Sequence, residues 1–237
     1  MNLAWANDAM RKLEEEMRCA SAADASVMLI GESGVGKRYA ANMIHQMSHR
    51  RRDPFVVINA ADASHLAWST RPNANDPVAD GLLQAAESGT LFIQDIEKFP
   101  AAAQVQLLRF MDWATTVGRH VRFTTATGAD LFRRVKAGEF RDDLYYRLNV
   151  FCFVIPPLRE RPEDIPLMFR HYLSLHTRTQ VPPLSSAARQ RLVEYSWPGN
   201  IRELRTVTRK LSAERLPDLI EPEHLPCPIG EWPVTFS

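Results

Sequence analysis

Residues 26–38 read SVMLIGESGVGKR, and the fold is decided there. Residues 26–30, a serine followed by a short continuous apolar run, read as a buried strand. Gly31, Glu32, Ser33, Gly34, Val35, Gly36 and Lys37 then fit the pattern GxxxxGK. Beyond them Ala40, Met43, Ile44 and Met47 recur at helical spacing. A glycine-rich loop between a strand and a helix is suited to phosphate. The glycines let backbone N–H groups turn inward, the helix N-terminus adds its positive end, and the lysine reaches the terminal phosphates. A plain glycine turn is the competing reading, and the strand–loop–helix context weighs against it. Arg38 stands where a serine or threonine usually follows the lysine, so one hydroxyl ligand for magnesium is missing.

Outward from this loop, strands and helices alternate. PFVVINA (54–60), TLFIQDI (90–96), HVRFTTAT (120–127) and the end of FRDDLYYRLNVFCFVIP (140–156) read as further strands. Helical patterns lie between them, including an N-terminal helix capped by Asn7 or Asp8 with Met10, Leu13 and Met17 on one face. Residues 62–80 read mostly as loop, with breaks at Pro72 and Pro77. The alternation predicts an α/β fold, a parallel sheet sandwiched by helices. After Pro156 and Pro157 only helical patterns continue. The expected organisation is an α/β nucleotide-binding subdomain over 1–158, a small all-helical lid over 159–215 and an irregular tail over 216–237.

The length of 237 residues suits one large domain or a domain with a small companion. A net charge of +1 leaves no global field toward nucleic acid or membrane. The densest basic run, His49, Arg50, Arg51 and Arg52, reads as a solvated turn ahead of a phosphate contact. Cys19, Cys152 and Cys227 are too few and scattered for a disulfide framework or a metal site. The opening residues lack the charged-then-apolar pattern of a signal peptide, and no apolar run reaches spanning length. The expectation is a cytoplasmic protein with no membrane partner.

GESGVGKR, FVVINAA, SGTLFIQDI, VQLLRF, GEFRDDLYYRLNVF, IPPLRERPEDIP and WPGNIREL occur in this order. Together they resemble the central AAA+ domain of sigma-54-dependent transcription activators, the bacterial enhancer-binding proteins, over about residues 1–215. The resemblance implies an AAA+ P-loop NTPase fold with a helical lid, ATP or ADP as ligand, and a homo- or hetero-oligomeric ring with ATP between subunits. It implies that Lys37 holds phosphate within the loop from Gly31 to Arg38. Arg141 and Arg147 match arginines that reach a neighbour's ATP; such fingers are worth ~10³–10⁵ in rate. Arg202 matches a sensor arginine of the lid, and Asn59 an asparagine that restrains the catalytic glutamate. The family also lacks a hydroxyl at the position of Arg38. For Arg141 and Arg147 the competing reading is ordinary surface pairing with Asp142 and Asp143; for Arg202 it is pairing with Glu203 or Glu194; for Asn59 it is a turn residue.

The chain departs from that family in several places. The family strand ends in Asp then Glu, the first organising magnesium and the second polarising the attacking water. Here Gln94 and Asp95 stand there. Gln94 brings no charge to a hard cation, and Asp95, the remaining candidate for both metal and catalysis, is one methylene shorter than Glu. A misplacement of about 1 Å can cost ~10²-fold, so magnesium is doubtful on this reading. Glu97 reads as a solvated acid past the strand end. Gly128 replaces a phosphate-sensing asparagine, and Thr127 reads as a strand threonine. The loop that grips the sigma factor, GAFTGA in the family, has no counterpart between Asn59 and the SGTLF turn, where Trp68 and His65 lie. The second loop, between LLRF and VRF, is also short. No DNA-binding helices are evident in the tail, so no direct DNA contact is expected.

The expected function is therefore that of a degenerate member. It binds nucleotide weakly or structurally and regulates transcription by associating with an active AAA+ partner, such as an active sigma-54 activator, rather than by remodelling sigma-54. The alternative is a slow AAA+ ATPase with Asp95 as base, acting on another target. A third reading is an adaptor that binds no nucleotide.

Overall fold

The computed structural model describes residues 5–60, 86, 88–116, 118, 120–177, 180–213, 216–226 and 229. The interval read as a loop at 62–80, with Trp68 and His65, lies outside the described residues, as does most of the tail after residue 226. The chain forms two compact units. One holds residues 13–31 and 37–155; the other holds 1–12, 32–36 and 156–237. Residues 5–12 and 32–36 thus group by contact with the helices that follow the sheet.

The first unit is built on five strands: β1 (Val27–Ile30), β2 (Phe55–Asn59), β3 (Thr90–Gln94), β4 (Arg122–Thr127) and β5 (Phe151–Val154). Their order is β2-β3-β4-β1-β5, and every pairing is parallel. β1 and most of β3 are apolar runs because both faces of a parallel sheet are covered, and β4 is as deeply buried although rich in threonine. The register sets Ile30 beside Thr127 and Asn59 beside Gln94. The segments after β1, β3 and β4 therefore emerge along one edge of the sheet, where ligands bind in open α/β folds.

Helices α1 (Asp8–Ala22), α2 (Lys37–Met47), α3 (Ala101–Thr116), α4 (Leu131–Lys136) and α5 (Asp142–Leu148) follow in chain order. The Asn7 side chain accepts from Met10 N–H at 3.2 Å and starts α1. Met10, Leu13, Met17 and Ala20 are its buried stripe. Leu91, Ile93, Leu107, Phe110, Phe123, Leu144 and Leu148 join one core cluster. Each such side chain contributes roughly 1.5–3 kcal/mol by leaving water.

Two buried arginines lock the opposite edge. Arg122 donates to the carbonyls of Ala20, Ser21 and Ala25 at 2.9, 3.3 and 3.2 Å, satisfying the C-terminal end of α1. Arg50 pairs with Asp24 and donates to the carbonyls of Ser88 and His120. The expectation of a solvated turn holds for Arg51 and Arg52, which are exposed, and fails for Arg50, which is buried. Its guanidinium is spent on loop carbonyls that no secondary structure satisfies.

The second unit contains α6 (Asp164–Ser174), α7 (Ser186–Glu194) and α8 (Asn200–Ala213). Ser185 caps α7 by accepting from Ala188 N–H at 3.1 Å. Trp197 is fully buried, and its indole N–H donates to the Leu192 carbonyl at 2.8 Å. Within the span expected to be irregular, Ile220 bridges to Leu184, and Ile220 and Leu225 are buried. That stretch is fastened to the segment before α7 by backbone hydrogen bonds, Ser185 N–H to the Ile220 carbonyl at 3.0 Å and Ile220 N–H to the Pro183 carbonyl at 2.9 Å. Among the described residues, no helix is long and apolar enough to cross a membrane.

Candidate functional site

In the helical unit, the loop residues Glu32, Ser33, Gly34 and Val35 are gripped by the start of α8 and the turn before α6. Gly34 has φ +81, and a Cβ placed on it would lie 2.3 Å from the Gly199 carbonyl oxygen. Only glycine meets both demands. Asn200, itself at φ +51, is the hub. Its side-chain Oδ1 accepts from Leu158 N–H at 2.7 Å, and its side-chain Nδ2 donates to Glu32 Oε2 and to the Ser33 carbonyl, both at 3.1 Å. Arg159 makes a two-pronged pair with Glu32, at 2.9 and 2.6 Å. These bonds, that from Arg159 first and that from Asn200 second, pull the Glu32 carboxyl down from 4.5 to about 2. Arg202 donates to Ser33 Oγ at 3.1 Å, and buried Arg161 donates to the Val35 carbonyl at 3.0 Å. Burial lowers the pKa of Arg161. The stretch WPGNIREL therefore brings Arg202 against the phosphate-loop pattern, not into a surface pair with Glu203 or Glu194. Glu203 is instead occupied by Tyr195 and the Gly199 N–H.

In the sheet unit, Lys37 is buried and donates to the Gly31 carbonyl at 2.6 Å. Gly36 has φ +106, in keeping with the turn that leads into α2, and Arg38 is exposed. At the end of β3, Asp95 takes a left-handed conformation, φ 58 and ψ 45. This breaks the strand alternation at the residue where the sequence reading extended it. Asp95 Oδ2 pairs with Lys98 at 2.9 Å. Gln94 is half-buried, and Asn59, its register partner, is exposed at the same edge.

Glu97 departs most from expectation. It does not stand in solvent. Its Oε1 accepts from Gly128 N–H at 3.2 Å, its main-chain carbonyl accepts from Arg134 at 2.9 Å, and its Oε2 is buried without a hydrogen-bond partner among the described residues. The left-handed turn at Asp95, followed by the single helical turn Ile96–Lys98, folds the carboxylate back toward the end of β4. No period-2 extrapolation of the strand contains that turn. Thr127 behaves as read: its hydroxyl exchanges hydrogen bonds with the backbone of Ala129.

Arg141 and Arg147 lie at the start and in the last turn of α5. Arg141 is exposed and paired two-pronged with Asp143, at 3.0 and 2.6 Å; Arg147 pairs with Asp112. Asp143 is held below its ordinary value chiefly by the Arg141 bond. Both arginines sit in ordinary surface pairs, and such exposed pairs are weakly held and exchangeable. Gln104, buried in α3, fixes this segment. It accepts from Arg141 N–H at 2.8 Å and donates to the carbonyls of Phe99 and Glu139 at 3.0 and 3.1 Å. Asn200, Arg159, Gln104 and Glu97 were not assigned site roles from the sequence. Asn200 and Arg159 lay within recognised motifs; for Gln104 and Glu97 only the packing supplies the signal.

The donors at the β3 end do not suit a hard cation at Gln94 and Asp95, since one is neutral and the other is engaged by Lys98. The buried, unpaired Oε2 of Glu97 does suit one. Among the described residues no group of three metal-ligating side chains occurs. A cation here would need phosphate oxygens as its other ligands.

Residues 3–154 match the family described as Sigma-54 interaction domain, and residues 159–232 match the AAA+ ATPase lid domain. The chain is 38% identical to the DNA-binding transcriptional regulator NtrC of Bradyrhizobium sp., over 92% of this chain and 49% of that protein. It is 39% identical to the transcriptional regulatory protein GlrR of Escherichia coli, over 86% of this chain and 50% of that one. It thus spans about half the length of the curated relatives it matches. Among solved structures, NtrX from Brucella abortus in complex with ATP superposes with a TM-score of 0.81 at 26% identity, covering 97% of this chain and 57% of NtrX. Its complex with ADP gives 0.83 at 27% identity, over 97% of this chain and 55% of that one. With the parallel sheet, the phosphate-loop pattern and the helical lid, these matches place the chain in the sigma-54-dependent transcriptional activator family, as its AAA+ sigma-54 interaction domain.

Proposed function

We propose that the chain is a nucleotide-binding regulatory subunit of this family. It binds ATP or ADP through residues 31–37 and acts by associating with an active AAA+ partner, rather than by remodelling sigma-54 itself. The observation that carries this reading is the end of β3: Gln94 is neutral and Asp95, turned left-handed, is paired with Lys98. The acids that position a cation and a water are thus impaired. Phosphoryl transfer depends mainly on such positioning and charge, so hydrolysis by the chain alone is slow. The phosphate loop is whole, and the related NtrX structures carry ATP and ADP. The segment bearing Arg141 and Arg147 is also whole, held by Gln104. The short sequence intervals where the family carries its sigma-gripping loops point the same way.

The test is to mix the chain with an active sigma-54 activator and follow ATP hydrolysis. The expected result is a rate that changes with the mixing ratio; an unchanged rate at every ratio refutes the association. Nucleotide binding is read separately, as a rise in melting temperature with ATP or ADP that Lys37→Ala abolishes.

A further inference from the structure

We propose that Glu97 is the carboxylate that holds the divalent cation of the bound nucleotide, three residues beyond the position that Gln94 has left neutral. The proposal rests on the nucleotide-binding reading above and deepens it.

Three observations within the sheet unit carry it. First, the carboxylate is fixed in place. Gly128 N–H holds Oε1, and Arg134 holds the main-chain carbonyl of the same residue. Second, the other oxygen, Oε2, is buried with no hydrogen-bond partner among the described residues. A buried carboxylate oxygen is costly unless a donor or a cation meets it. Third, a Cβ built on Gly128 would lie 3.7 Å from Glu97 Oε1, 3.7 Å from the Gly31 carbonyl oxygen and 4.0 Å from Lys37 Nζ. The carboxylate and the phosphate-binding lysine thus border one small volume, and it stays open because residue 128 has no side chain. The glycine that removes a side-chain donor from the end of β4 also makes room for an acid.

Electrostatics gives that acid its role. Phosphate oxygens drawn to Lys37 would meet a second negative group. Two such anions in one confined place repel, unless a cation lies between them. Magnesium suits that arrangement: it takes one or two carboxylates with nucleotide phosphates and keeps water in the remaining positions. Asp95 is engaged by Lys98, and Gln94 carries no charge, so Glu97 is left to supply the anion.

The experiment is titration of a fluorescent ATP analogue in magnesium and in EDTA, for the wild-type chain and for Glu97→Gln. Wild type is expected to bind about tenfold or more tighter in magnesium, the size of one charge-assisted contact. Glu97→Gln removes the charge at nearly constant shape. It is expected to bind equally in both solutions, and in EDTA no more weakly than wild type, because the repulsion has gone. Gly128→Asn fills the shared volume and is expected to lose the magnesium effect as well, with thermal unfolding confirming that both variants are folded. A magnesium effect kept in full by Glu97→Gln, or absent from wild type that still binds, overturns the proposal alone. Binding by wild type in neither solution overturns the nucleotide reading, and this proposal with it.

Discussion

Asp95 shows how one backbone angle redirects a site. A non-glycine residue in the left-handed region costs of order 1 kcal/mol, and aspartate is among the residues that tolerate it best. The turn sends Asp95 to Lys98 and brings Glu97 back toward Gly128. Glu32 is a second residue whose chemistry is set by its partners. Its carboxyl is held at about 2 by Arg159 and Asn200. Since that lies below the ordinary 4.5, the contribution of these bonds is complete above 4.5 and fades as pH falls toward 2. Carbon-detected NMR of the Glu32 carboxyl should show a midpoint near 2 in the native chain, returning toward 4.5 in Arg159→Ala; a wild-type midpoint near 4.5 would contradict the pairing. At Gly34, alanine meets both a left-handed φ and the Gly199 carbonyl at 2.3 Å. Gly34→Ala is expected to lower stability by about 2–4 kcal/mol, read by urea denaturation.

At the scale of elements, α3 organises the segment that carries Arg141. Gln104 is buried and uses both ends of its amide, two carbonyls and one N–H being satisfied by a single side chain. Gln104→Leu keeps the volume and removes all three hydrogen bonds. Its expected cost is about 2–4 kcal/mol, since each stranded buried polar group costs ~1–3 kcal/mol before relaxation. Chemical denaturation checks this, and a loss below about 1 kcal/mol would mean that water replaces the amide. The start of α8 plays the corresponding part in the helical unit, where Asn200 and Arg202 hold Glu32 and Ser33. The strands and the longer helices were legible from apolar periodicity, because a face buried on a sheet or helix must repeat with the element's own period. The turn Ile96–Lys98 was not legible, because three residues contain no period to read.

For the molecule as a whole, the arginines of α5 bear on association, Arg141 being exposed and Arg147 half-buried. Among the described residues the side chains of Arg141 and Arg147 pair with Asp143 and Asp112, and Tyr146 between them is largely exposed. If association acts through these arginines, Arg141→Ala with Arg147→Ala should abolish the effect on an active partner's ATPase while leaving this chain's own nucleotide-dependent thermal shift unchanged. A double variant that still alters the partner's rate to the same extent would move the contact elsewhere.

The residue types and their order determined a parallel α/β fold with a helical lid, and they contain the GxxxxGK pattern and the neutral residue at Gln94. Those features are written locally, in glycine spacing, apolar period and motif order. Only the tertiary structure decided that Arg50 is a buried brace, that Asn200 holds the loop, and that Glu97 faces Gly128 instead of water. Each depends on residues tens of positions apart meeting at one point, and the sign of a side chain's environment is not carried by its own neighbours in sequence.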